Sequence, residues 1–346
     1  MTLSKKNKIV VASAGSGKTT FIVEQALAMQ NKSVLITTYT NENLEQINGF
    51  IIKRNGFVPK NVTILSWFSF LLQEGVRPYQ SCMTERNRIN GIIFDNTIKK
   101  GVRKDDVDNY FLTKGDNIYR DRVSDFVCQC DNRTEGLVME RLTKIYANIF
   151  IDEVQDFAGY DLDFLEKIFK SSIDIIAVGD PRQSTYSTNN ASKNKQYKRH
   201  KILEWITKKE EAGLCSVEGR VDCYRCNQQI CDYADALFPQ LSKTKSNNNE
   251  ITGHDGVFSV KPKETLAYIE KYKPTILRWN KKANTMGQGA INIGVSKGRT
   301  YDRVLIFPTK PMTQYLKTGD TSKAGDLSKL YVAVTRAKYS VAFVWE

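Results

Sequence analysis

The sequence predicts an α/β protein built on two parallel sheets, and three observations carry that prediction. Short apolar runs recur along the chain, among them Ile9–Ala12, Ile149–Ile151 and the run within IDIIAVGD at 173–180. Each ends at small or charged residues without alternating, as strands buried on both faces do. Helical spacing then follows: Ile22, Ala26 and Met29 after the first run, and Leu162, Leu165, Ile168 and Phe169 after the second. Hydrophobic residues make up 41% of the 346 positions, enough to build two cores.

The first run opens IVVASAGSGKTTF, residues 9–21. Ala14, Gly15, Ser16 and Gly17 keep side chains out of the way, so backbone N–H groups can approach phosphate oxygens. Lys18 can neutralise β- and γ-phosphates, the Thr19 hydroxyl can bind Mg²⁺, and Thr20 continues into a helix whose N-terminus favours anions. Strand, loop and helix come in the order that binding of ATP and Mg²⁺ requires. The motif begins with Ala12 where the general pattern has glycine.

A hydrolytic counterpart should sit at the tip of another buried strand, and ANIFIDEVQDF supplies it. Asp152 is placed to hold Mg²⁺, and Glu153 to orient or deprotonate the attacking water. The third run ends in Gly179-Asp180-Pro181-Arg182-Gln183. A glutamine at a strand tip can bond both the γ-phosphate and the attacking water, and so distinguish ATP from ADP.

Lys plus Arg number 51 against 38 Asp plus Glu, a net charge of +13 that attracts polyanions. The excess is uneven: residues 193–209 hold seven Lys or Arg against one Glu, and 261–282 hold seven against two. No run of eighteen apolar residues exists, so no membrane span is expected. The opening MTLSKKNKIVV turns polar too soon for a secretory signal, so a cytoplasmic protein is expected. Seven cysteines, Cys82, Cys128, Cys130, Cys215, Cys223, Cys226 and Cys231, then read as reduced thiols. Cys223-x-x-Cys226 fits no zinc-ligand spacing, with only His200 and His254 elsewhere.

ASAGSGKT, IDEVQD and VGDPRQSTY together resemble the UvrD/Rep/PcrA branch of superfamily 1 helicases. Further segments match in order: ITTYTNENLEQI, TILSWFSFLL, CYRCNQQICDYADALF, IGVSKGRTYDRVLIF and LYVAVTRAKYSVAFV. The resemblance implies two RecA-like P-loop NTPase domains, with ATP between them and 3′–5′ movement on single-stranded DNA. It implies that Arg225 and Arg336 stabilise charge on the γ-phosphate, and that Gly298 lies in an ATP-contacting segment. DNA contacts would come from Thr38, Tyr39, Thr40, Asn41, Ser66, Trp67, Phe68 and Tyr186. The first domain is expected over 1–215, with a short 1B-like insertion at about 76–143, and the second over 216–346.

Departures from the family bear on function. TILRWNKKAN runs almost directly into AINIGVSKG, so the 2B insertion is expected to be essentially absent, and no C-terminal extension is expected after Glu346. No glutamine precedes Gln25 to read adenine. Tyr186 is followed by Ser187, Thr188, Asn189 and Asn190 in place of a stacking aromatic, and Gly294 stands for a histidine. Residues 242–256 are expected to form an exposed loop. The leading expectation is an ATP-dependent single-stranded DNA translocase or helicase. The alternative is a DNA-stimulated ATPase serving a partner nuclease, as some phage-defence systems pair a small UvrD-like protein with one. A dead nucleotide-binding module is disfavoured by the intact Lys18, Asp152, Glu153, Gln183, Arg225 and Arg336.

Overall fold

The computed structural model describes residues 7–94 and 101–345. The first six residues of the opening read as non-secretory, residues 95–100 of the expected insertion, and Glu346 lie outside it. The chain divides into two compact units. The first comprises Met1–Val11, Lys18–Pro181 and Tyr186–Glu218; the second comprises Ala12–Gly17, Arg182–Thr185 and Gly219–Glu346. The main division thus falls at 218/219, three residues beyond the expected position. Two short loop segments that precede it in sequence group with the second unit.

The first unit's sheet runs in the order Val62–Ser66, Val34–Thr38, Asn148–Ile151, Asp174–Gly179, Lys8–Ala12, Ser216–Arg220. The first five of these strands pair in parallel. Every residue of Val34–Thr38 and Asn148–Ile151 is buried, which explains their continuous apolar character. Helix Asn41–Asn55 begins at Thr40, whose side chain accepts from the Asn43 N–H at 3.2 Å, satisfying one of the free donors of the first turn.

The segment expected as an insertion is part of this unit's main core. Phe111, Val123, Phe126, Val127, Val138 and Leu142 are buried in the same cluster as Ile149, Ile151 and Leu165 of the sheet and its covering helix. Helix Val123–Arg133 supplies half of these side chains. Burial of that apolar face, at roughly 25 cal/mol per Å², holds the segment to the sheet layer.

The second unit's sheet is parallel throughout its registered pairs, in the order Gly256–Val260, Ala337–Val344, Tyr301–Phe307, Thr275–Arg278, Ile291–Asn292. Only residues 279–290 connect its last two members, and no folded subdomain intervenes there. The polar stretch 242–256 is mostly exposed or half-buried loop, as its composition predicts, and is anchored at two points. Lys245–Ser246 pairs with Asp222–Cys223, and Thr244 is buried against Asp235. No helix among the described residues is long and apolar enough to cross a membrane.

Candidate functional site

In the first unit the motif residues lie at the carboxyl ends of neighbouring parallel strands, where open α/β sheets bind ligands. Lys18 opens helix Lys18–Ala28, and Asp152 and Glu153 follow strand Asn148–Ile151. The Thr19 hydroxyl donates to Asp152 Oδ2 at 3.1 Å. Burial, reinforced by the Glu153 charge, pushes the Asp152 carboxyl up to about 7; the Lys18 ammonium and the Thr19 hydroxyl oppose that rise. This hydroxyl–carboxylate pair is an oxygen-only donor set of the kind Mg²⁺ takes. The Ser16 hydroxyl of the phosphate loop is buried without a hydrogen-bond partner, as a group awaiting a ligand oxygen would be. The residues present therefore fit a nucleotide with Mg²⁺. The ion, held by Thr19 and Asp152, would supply neutralisation of phosphate charge.

Glu153 stands in the left-handed region, at φ 61° and ψ 40°. That conformation costs a non-glycine residue on the order of 1 kcal/mol and marks functional turns. Gln155, which sequence reasoning did not single out, holds the turn in place. Its Nε2 donates to Glu153 Oε2, and its Oε1 accepts from the Asp180 N–H at 3.1 Å. Gly179 makes room for it, since a Cβ there would lie 2.4 Å from Gln155 Oε1. The Glu153 turn is thereby tied to Asp180, which follows strand Asp174–Gly179. The glutamine within IDEVQD was the available signal.

In the second unit Gly15, at φ +73°, packs against the Cys223–Arg225 segment. A Cβ on Gly15 would lie 2.7 Å from Arg225 Cβ and 2.9 Å from Cys223 Sγ, so only glycine fits. The Tyr224 N–H donates to Gly15 O at 2.9 Å, and the Ala14 N–H to the Tyr331 hydroxyl at 3.4 Å. Arg182, also not singled out from the sequence, is a buried hub. It donates to Ser13 Oγ at 2.8 Å, pairs with Asp235 at 3.1 Å and lies over the Tyr331 ring.

Arg225 donates through Nη1 to Thr335 O at 3.0 Å. Arg336, 1% exposed, donates through Nη2 to Gln183 Oε1 at 2.9 Å, through Nη1 to Arg299 O and through Nε to Val332 O. The structure thus joins two residues that the sequence assigned separately to γ-phosphate chemistry. Gly298 lies between the turn Ile293–Ser296 and strand Tyr301–Phe307, beside Arg299.

The expected DNA contacts separate into two groups. Tyr39 and Tyr186 are neighbours, with ring centroids 6.3 Å apart, and Tyr186 is 38% exposed. Asn41 is exposed at the start of its helix. Thr40 and Ser66 act as caps, Ser66 accepting from the Ser69 N–H at 3.0 Å. Trp67, Phe68 and Thr38 are corrections to the sequence reading. All three are buried, at 0%, 4% and 0% exposure, and cannot offer side chains to a strand. Trp67 packs on Phe157 with centroids 4.4 Å apart and donates to Asp161 Oδ1 at 2.9 Å. Truncation of Trp67 to alanine is accordingly expected to destabilise the protein by about 3–5 kcal/mol, read as a lower urea midpoint. An unchanged midpoint with lost DNA affinity would restore Trp67 as a contact residue.

Where a stacking aromatic is expected after Tyr186, Thr188 and Asn189 are buried and join the loop to its surroundings. Thr188 N donates to Asp156 O at 2.9 Å, its hydroxyl accepts from the Ala158 N–H at 3.0 Å, and Asn189 donates to Asp121 O at 2.9 Å.

Parallel sheets flanked by helices, with a phosphate loop and an acidic pair at the strand tips, define a P-loop NTPase of the RecA-like kind. Comparison narrows the class. A family model described as an AAA domain matches residues 1–189, and one described as the viral superfamily 1 RNA helicase core domain matches residues 114–344. The chain belongs to the superfamily 1 helicases and is a helicase-like ATPase. It is similar to Gabija protein GajB of Bacillus cereus (strain VD045), 27% identical over 256 residues, which cover 71% of this chain and 49% of that protein. The chain therefore spans about half the length of that curated relative. Among solved structures it shares its fold with arterivirus nonstructural protein 10 (helicase), at TM-score 0.51 and 17% identity over 98% of this chain and 59% of that one. The complex of that helicase with DNA gives a TM-score of 0.52 and 16% identity, over 99% and 61%.

Proposed function

We propose that the chain is an ATP-driven motor on single-stranded DNA, of the UvrD-like type, moving 3′–5′. Glu153 activates water, Thr19 and Asp152 hold Mg²⁺, and Gln183, Arg225 and Arg336 stabilise the transferred phosphoryl group. The observation that carries the reading is the partly exposed Tyr39–Tyr186 pair. Tyr39 directly follows strand Val34–Thr38, and only three positions separate Tyr186 from Gln183. One short loop thus carries both a base-stacking surface and the residue proposed to sense the γ-phosphate. The DNA-bound arterivirus helicase shares this fold, which supports nucleic acid as the track. Basic residues of 193–209 and 261–282 would add a sequence-independent attraction that falls steeply with salt.

A second reading is favoured by the plain connection at 279–290 and by the likeness to Gabija protein GajB. In it the chain is a DNA-stimulated ATPase that serves a partner, such as a nuclease in phage defence, and unwinds little alone. Two measurements separate the readings. Single-stranded DNA is expected to stimulate the ATPase more than RNA of equal length, and Tyr186→Ala to weaken DNA binding by about 1–3 kcal/mol. Strand separation on a long tailed duplex then decides between them: rapid unwinding by the purified chain supports the motor reading, and stimulated ATPase without unwinding supports the second. An ATPase indifferent to nucleic acid would overturn both.

A further inference from the structure

Three of the seven cysteines meet at one point in the second unit. Cys223 ends the short strand Asp222–Cys223, Cys226 precedes helix Gln228–Asp235, and Cys231 lies on that helix; all three are buried. Their thiols hydrogen-bond to one another. The Cys226 N–H donates to Cys223 Sγ at 3.3 Å, and Asn227 caps the helix that follows. A sulfur that accepts a backbone N–H beside a helix N-terminus is poised to carry negative charge. The hydrogen bonds from Cys226 and Cys231, with those from the Cys226 and Arg225 backbone, pull the Cys223 thiol well below the ordinary range; donation to Cys223 first, and burial after it, holds Cys226 and Cys231 above it. Cys223 is therefore the sulfur most disposed to act as a thiolate, with Cys226 and Cys231 beside it.

The cluster also touches the residues proposed for nucleotide chemistry. Cys223 Sγ lies against Gly15 of the phosphate loop, at the limit of what a glycine allows. The Cys226 thiol and Arg225 Nη1 share one acceptor, Thr335 O, at 3.6 and 3.0 Å, and Thr335 directly precedes Arg336. Movement of either sulfur disturbs Gly15 on one side and both arginines on the other.

We propose that Cys223 and Cys226 form a reversible oxidation site whose disulfide disables the nucleotide machinery. The oxidant class is a peroxide. The Cys223 thiolate attacks a peroxide oxygen, the O–O bond breaks, and Cys223 becomes a sulfenic acid. The Cys226 sulfur then displaces that hydroxyl, forming the S–S bond as water leaves. In sum, two thiols and one hydrogen peroxide give one disulfide and two waters, and a dithiol reductant reverses the change. Formation of the bond removes the Cys226 donor from Thr335 O and draws Cys223 Sγ away from Gly15.

The site itself is independent of the proposed motor activity; its consequence for turnover rests on that reading. The test exposes the reduced chain to graded hydrogen peroxide and follows it by peptide mass mapping, fluorescent ATP-analogue binding and ATPase rate. Expected are a Cys223–Cys226 crosslink, lighter by two hydrogens, at lower peroxide than any crosslink between Cys82 and Cys130, whose thiols hydrogen-bond in the first unit, and turnover reduced about tenfold or more, as a small displacement of catalytic groups entails. Dithiothreitol is expected to restore the rate. Cys226→Ser, whose hydroxyl still donates to Thr335 O, should keep the reduced-state rate and lose the Cys223–Cys226 crosslink with its peroxide response; should serine impair folding, Cys226→Ala is read by the loss of that crosslink on the mass map rather than by its rate. Cys223 and Cys226 found unlinked at peroxide levels that link Cys82 to Cys130 would overturn the proposal. So would linked cysteines with analogue binding and turnover both unchanged. The mass readout reports the site even in a preparation without ATPase activity, so failure of the motor reading is distinguishable.

Discussion

Replacement of Glu153 by glutamine is expected to lower ATP turnover by roughly 10²–10⁴-fold, the usual contribution of a positioned general base, while nucleotide binding persists. The asymmetry follows from the geometry. The Thr19 hydroxyl–Asp152 hydrogen bond, at the pair proposed to hold Mg²⁺, does not involve the Glu153 side chain and survives the change. Gln155 can still hydrogen-bond a glutamine at 153, because an amide oxygen accepts as a carboxylate does, so the turn keeps its shape. What disappears is the anionic base, and with it one source of the upward push on the Asp152 carboxyl. Binding of a fluorescent ATP analogue and steady-state phosphate release, measured side by side, check the two halves. A variant that releases phosphate at the parental rate would remove Glu153 from the chemistry. A variant that no longer binds the analogue would show that the substitution had disturbed the site beyond its base.

The parts of this site legible in the sequence are those whose chemistry and location are both local. An apolar run that ends in Asp152-Glu153, or in Gly-Lys-Thr, states its strand, its direction and its tip within a dozen residues, and parallel pairing brings those tips side by side. What sequence could not show depends on packing between distant segments. Trp67 and Phe68 read as surface aromatics because their motif resembles a DNA-contacting turn. Trp67 is buried because Phe157, Phe164 and the Asp161 carboxylate close around it from ninety or more positions away. Gln155 acquires its role only because Gly179, on the neighbouring strand, leaves the space that its amide fills. Arg182 becomes a hub because Ser13 and Asp235 lie within reach of one guanidinium. The segment 76–143 looked like an insertion when counted by length. Its apolar residues, scattered from Val76, Met83 and Ile89 to Leu142, merge with the main core only when the segments carrying them are placed on the sheet.

Substitution of Arg336 by alanine is expected to reduce turnover by about 10³–10⁵-fold, the range for an arginine that stabilises a transferring phosphoryl group, with a much smaller effect on ATP affinity. The reason is that its charge matters most as negative charge develops on the phosphoryl oxygens, not in the ground state. The side chain is fixed for such work: two backbone carbonyls and Gln183 Oε1 take its N–H groups. The same fixing means that alanine removes packing as well as charge, so Arg336→Lys is the necessary companion. Lysine keeps the charge but cannot reproduce the planar fork that reaches Val332 O, Arg299 O and Gln183 together. If the role is chemical, both variants lose turnover while their urea midpoints differ, lysine lying nearer the parent. If it is structural, turnover follows the midpoint. Gln183→Ala adds a coupling measurement. Residues joined by a hydrogen bond deviate from additivity, so Arg336→Ala in the Gln183→Ala background should cost less than it does alone. Full additivity of the two substitutions, or an Arg336→Ala protein that hydrolyses ATP at the parental rate, would show that the Arg336–Gln183 contact has no part in the reaction.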